Sequence, residues 1–134
     1  MQFLIKLKKM KAPGILLKVV GIGLFVYAIS FIYNPLLLAE MIGFKHHSPN
    51  TLVEITAFYG GLELGLGIFF VWASLKPERY YLGLMCFFFA FLFAGIFRVI
   101  GIIVYGFEDP SQPIVSVIEI VVPLHAYYLS KKLN

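Results

Sequence analysis

The sequence predicts an all-α integral membrane protein, a four-helix transmembrane bundle with its N and C termini cytoplasmic. Three observations carry that expectation. The chain has 134 residues, 60% hydrophobic and only 13% charged, whereas soluble domains have about a quarter of their residues charged. Its apolar residues gather into four runs separated by prolines, glycines and charges. Its cations crowd the flanks of those runs on one side. A soluble domain of this length has one modest core, too small for 14 phenylalanines and the many leucines beside them.

Crossing a hydrocarbon layer about 30 Å thick takes roughly 20 helical residues. The first run, Ile15 to Tyr33, is entered through Pro13-Gly14 and ended by Asn34-Pro35. The second, Glu54 to Leu75, stops at Lys76-Pro77. The third begins at Tyr80 or Tyr81 and reaches Tyr105, where Gly106 and Glu108-Asp109-Pro110 stop it. The fourth, Pro113 to Leu129, is the shortest and contains Pro123. Backbone polar groups cannot stay unpaired in lipid, and these runs are too long and uniformly apolar for barrel strands, so they are read as helices. Leu36 to Phe44 is apolar but too short to span; it is either a short interfacial helix or a continuation of the first helix beyond a kink at Pro35. Lys45 to Asn50 is the one obvious polar loop, and Ser48, Asn50 or Thr51 can cap the helix after it.

Charge fixes the expected orientation. Lys6, Lys8, Lys9, Lys11, Lys76, Arg79, Lys131 and Lys132 fall on one side and Lys45 alone on the other. The positive-inside rule then makes both termini cytoplasmic, in a cell inner membrane. The expected division is a basic leader, 1–13, a four-helix transmembrane domain, 14–130, and a short basic tail, 131–134. A basic stretch before an apolar core also describes a secretory signal, but this core is long, holds Lys18, and precedes further spans, which favours a retained anchor.

The net charge of +4 does not indicate nucleic acid, because the cations border hydrocarbon rather than forming a basic face on a polar scaffold. Membrane lipids are the partners such flanks imply. Cys86 stands alone in an apolar run, so no intrachain disulfide is expected. Adjacent His46 and His47 lack the further ligands a metal site needs. No metal or cofactor is expected, and no catalytic residue is assigned.

The residues that invite a function are charges inside apolar runs. Arg98 interrupts the run from Tyr81 to Tyr105, and Glu63 and Glu119 lie within the second and fourth runs. Charges at such depths normally face other helices, pair with one another, or line a wetted cavity. The three depths agree within about two turns at 1.5 Å per residue. Glu63, Arg98 and Glu119 are therefore expected to form a buried polar network, with Glu54 at its outer mouth. Gly60, Gly61, Gly65, Gly67 and Gly101 are expected helix-packing positions, since glycines at three- and four-residue spacing let backbones approach closely. They do not form a phosphate cradle, which needs a strand–turn–helix context. Lys18 and His125 read as interfacial side chains.

The segment Gly60-Gly61-Leu62-Glu63-Leu64-Gly65-Leu66-Gly67, the turn with Pro77 and Arg79, and Phe97-Arg98-Val99-Ile100-Gly101 resemble a family of small bacterial four-helix membrane proteins known only as a domain of unknown function. The resemblance implies a four-helix inner-membrane fold and supplies no activity or catalytic residue. The layout is more loosely similar to DoxX-like membrane proteins. The residues lead to a non-enzymatic binding or accessory protein for a lipid-like or hydrophobic small molecule, built around the Glu–Arg–Glu network. The alternative is a proton-coupled transporter or small oligomeric pore, and a homo-oligomer or membrane-protein partner fits either reading. A sealed structural clamp is the plainer account of the same three charges.

Overall fold

A computed structural model of the chain describes residues 11–41, 43–44 and 48–133. The described residues are helical, with no strand among them. In chain order they form α1 (Lys11–Tyr33), α2 (Pro35–Met41), α3 (Pro49–Ile55), a π-helical stretch (Thr56–Leu62), α4 (Glu63–Ser74), a 3-10 turn (Pro77–Arg79), α5 (Tyr80–Tyr105) and α6 (Ser111–Leu133). Among the described residues, four helices are long and apolar enough to cross a membrane: Lys11–Tyr33, Pro49–Ser74, Pro77–Tyr105 and Ser111–Leu133. The protein is thus a multi-pass membrane protein. Lys6, Lys8 and Lys9 of the basic leader, and Lys45, His46 and His47 of the polar loop, lie outside the described residues.

Local chemistry sets most boundaries. Pro13 lies inside α1, which is already helical at Lys11 rather than only after the proline. Asn34 leaves the helix and Pro35 begins α2, a separate short helix. Ser48 caps α3, its Oγ accepting from the Thr51 amide at 3.2 Å, with Pro49 at the first helical position. α5 ends where Gly106 takes a φ of +76°, a region open chiefly to glycine. α6 runs past both ends of its expected span. Asp109 Oδ1 accepts from the Ser111 amide at 2.8 Å and organises its start. Pro123 stays inside the helix, as membrane helices allow when neighbouring groups compensate for the lost amide.

The described residues form two compact units. In the one comprising Lys18–Trp72, α1 and the second membrane helix meet backbone to backbone. A Cβ added to Gly21 would lie 2.8 Å from Gly67 O, and one added to Gly67 would lie 2.9 Å from Gly21 O and Phe25 N. Gly60 lies against Ile32. Phe31, Ala39 and Ile55 are buried together and Tyr59 packs on them, its ring 5.2 Å from that of Phe31. The π-helical stretch contains the pair Gly60-Gly61, and its hydrogen bonding reaches back five residues from the Glu63 amide to Phe58 O. That wider turn shifts the helix faces relative to a continuous α-helix.

The other unit comprises the chain up to Leu17 and from Ala73 onward. Its centre is the α5–α6 hairpin. Met85 meets Ser130, Phe88 stacks on Tyr127 at 4.8 Å, Gly95 adjoins Ile120, and Arg98 meets Glu119. The reversed order of these partners makes the helices antiparallel. Leu84, Phe87, Ala126, Leu129 and Leu133 are buried here, and Gly83 leaves room for Leu17 and Ala73. Ser116 and Ser130 donate their hydroxyls to carbonyls three residues back, both at 2.7 Å, so neither adds an unsatisfied hydroxyl to an apolar helix.

Candidate functional site

Arg98 lies seven residues before the end of α5, about 10 Å along the axis at 1.5 Å per residue. Glu119 lies eight residues into α6, at a matching distance from the connecting loop. The glycine one turn before Arg98 brings the two helices together. A Cβ at Gly95 would lie 2.9 Å from Ile120 Cγ1 and 3.0 Å from both the carbonyl carbon and Cβ of Glu119. No larger residue permits that approach without moving α6. At this spacing the guanidinium reaches the carboxylate without crossing the hairpin.

The contact is two-pronged. Arg98 Nε donates to Glu119 Oε2 at 2.6 Å and Nη2 donates to Oε1 at 2.7 Å. Nη1 donates to Gln112 Oε1 at 3.0 Å. Gln112 and Glu119 are seven residues apart and so share one face of α6. The planar fork of arginine matches the two carboxylate oxygens, and the Gln112 amide oxygen extends the contact toward the loop. The Arg98 side chain is 33% exposed and that of Glu119 15%.

This geometry corrects the expectation of a buried Glu63–Arg98–Glu119 network. The Arg98–Glu119 salt bridge is not buried, and a buried Glu–Arg–Glu cluster does not form. The physical reason is chain connectivity. A short loop makes α5 and α6 antiparallel neighbours, so Glu119 and Gln112 reach the guanidinium at small loop-closure cost. Glu63, the first residue of α4, belongs to the other compact unit, where its Oε2 is buried. Glu54 is exposed on α3. The hydrophobic-ligand and proton-path readings were built on that buried cluster and fall with it.

The glycines separate by environment. Gly60 and Gly67 lie against α1, whereas a Cβ at Gly65 or Gly101 would meet no atom within 4 Å, and one at Gly61 only the Thr56 carbonyl oxygen. Sequence reasoning missed Gln112, because a glutamine at the start of a helix ordinarily faces water. It also passed over Gly21, which offers no signal until its opposite number at Gly67 is known.

Chemically the site offers charge and hydrogen bonding. A guanidinium offers a fork of hydrogen-bond donors and no acceptor. His125 is exposed on α6 with its ring 6.2 Å from that of Tyr128, and Cys86 is a half-buried free thiol. Among the described residues, no three His, Cys, Asp or Glu side chains converge as a metal site would require. No curated protein and no solved structure matches the chain. Residues 14–130 match the domain of unknown function DUF4345, and the chain belongs to that family.

Proposed function

We propose that the protein is a non-enzymatic inner-membrane protein that acts by associating with other transmembrane helices, a second copy of itself being the simplest partner. In this reading residues 14–130 form one four-helix bundle between a basic leader, 1–13, and a basic tail, 131–134, with both termini cytoplasmic. The layout similarity to DoxX-like proteins assigns no residue a role.

The observation that carries the association reading is the one-third exposure of Arg98 beside Glu119. A charged pair open to hydrocarbon is costly, and a polar group from a neighbouring helix reduces that cost. The same face of α5 offers close access. Ala94 is exposed four residues before Arg98, and Gly101, three residues after it, has open space at its Cβ position. Small residues flanking a polar one let a partner helix come near enough to hydrogen-bond. The orientation is supported by the distribution of charge. Lys11, Lys76, Arg79, Lys131 and Lys132 border one end of the membrane helices, while Glu108 and Asp109 occupy the α5–α6 loop at the other.

The test is native mass spectrometry of gently extracted protein, with the paired substitution Arg98→Leu and Glu119→Leu. The wild type is expected as a multiple of the 15.2 kDa chain or in fixed ratio with another membrane protein, and the double variant as a folded monomer. A wild type that remains monomeric in lipid nanodiscs overturns the reading.

A further inference from the structure

We infer that the end of the hairpin carrying Lys131 and Lys132 is a docking surface for the anionic phospholipid headgroups of one membrane leaflet. This inference does not depend on the association reading; it rests on a different end of the molecule.

The surface is built on the last two turns of α6. Lys131 Nζ lies 4.9 Å from the centre of the Tyr127 ring, and Lys132 Nζ lies 4.3 Å from that of Tyr128. Each lysine follows its tyrosine by four residues, one helical turn, so the ring lies beneath the lysine stem. Tyr127 is itself held by stacking on Phe88. The rings thereby keep two exposed ammonium groups beside the helix, at the level where apolar side chains give way to charged ones. Tyrosine under lysine is the arrangement expected at a headgroup boundary, with the ring body apolar and its hydroxyl wet.

Two other segments of the same unit bring cations to this end. Because α5 and α6 are antiparallel, the start of α5 adjoins the end of α6, as the contact of Met85 with Ser130 shows. The turn into α5 carries Lys76 and Arg79. Tyr80 lies against Gly14, which brings Lys11, three residues earlier on α1, to the same end. Against these five cations the described residues place only Glu78 in the turn. The opposite end of the hairpin carries Glu108 and Asp109, so the unit is polarised along its length.

Charge complementarity selects the occupant. Nucleic acid and soluble acidic partners require a basic face rising from a polar scaffold, whereas these cations ring the ends of hydrocarbon-facing helices. A phosphodiester headgroup with net negative charge satisfies them at that depth. A zwitterionic headgroup brings its own cation and does so less well.

The experiment incubates the full-length protein in detergent with equimolar phosphatidylglycerol and phosphatidylcholine of identical acyl chains, and counts bound lipids by native mass spectrometry. The wild type is expected to retain phosphatidylglycerol preferentially. The double substitution Lys131→Gln and Lys132→Gln is expected to lower that preference about fivefold per charge removed, the factor for one basic residue at an anionic surface. A second variant, Lys76→Gln, should lower it by a single such step. Thermal unfolding confirms that each variant is folded. Equal retention of the two lipids, or an unchanged preference in the double variant, overturns the proposal. Displacement of the bound lipid by excess inorganic phosphate also overturns it, assigning the surface to small anions.

Discussion

Arg98 and Glu119 close the last two helices with paired bonds of 2.6 and 2.7 Å, yet a third of the arginine side chain remains exposed. The pair is therefore both a brace within the hairpin and a polar mark on its exposed surface. Its two roles separate by mutation.

A double-mutant cycle measures the brace. Arg98→Leu and Glu119→Leu are each expected to lower thermal stability, because each leaves the other charge without its two-pronged partner in an apolar setting. The paired Leu variant should be more stable than either single one, since two apolar residues strand no charge. The coupling energy expected for such charge-assisted bonds is about 1–3 kcal/mol. Lys18→Leu, at the exposed surface of α1, should change stability much less. Additive single effects would show that the pair contributes no brace.

Gln112 should matter less than Glu119. Gln112→Leu removes one hydrogen bond at 3.0 Å and leaves the two-pronged contact intact, so its cost should be about 0.5–1.5 kcal/mol. A loss as large as that of Glu119→Leu would show that the loop-side contact dominates. Equilibrium unfolding in mixed micelles compares them directly.

Glycine substitutions should divide by what surrounds each position. Alanine at Gly21 or Gly67 drives a methyl into backbone atoms, and overpacking of this kind costs roughly 1–3 kcal/mol. Gly95→Val should also weaken the Arg98–Glu119 coupling by pushing α6 away. Alanine at Gly65, where no atom lies within 4 Å, should be neutral or stabilising by up to about 1 kcal/mol through helix propensity. Melting temperatures of the purified variants give the comparison.

The start of α6 should loosen in acid. The Ser111 amide, and secondarily its side chain, hold the Asp109 carboxyl below its ordinary value of 3.8. A depressed folded value means that the contribution is complete above 3.8 and is lost as the pH falls through the lowered value. Amide exchange at Ser111 should therefore become less protected only in that acidic window. Asp109→Asn should abolish the pH dependence. Protection that changes equally in both proteins would exclude Asp109 as its source.

The spans were legible because each apolar run is bounded by residues that act locally. Asn34 and Pro35 end the first run, and Gly106 ends the third by adopting a φ closed to most side chains. Ser48 was one of three expected caps, and only the hydrogen bond to Thr51 selects it. α6 outran its expected limits because Asp109 organises its first turn and Pro123 stays within the helix. The π-helical turns at Thr56–Leu62 had no visible sequence period, since glycines there lower the cost of a wide turn without requiring one.

The sequence by itself determined that four apolar helices are long enough to cross a membrane, and that Arg98 must find partners there. Both follow from hydrophobicity, length and the cost of charge in hydrocarbon, which act on each segment separately. That Glu119 and Gln112 hold Arg98 was decided only by the tertiary structure. The second and fourth runs each hold an acid, and no local rule singles out Glu119. The close approach at Gly95 and the short loop between α5 and α6 do, by holding Glu119 and Gln112 within reach of one guanidinium.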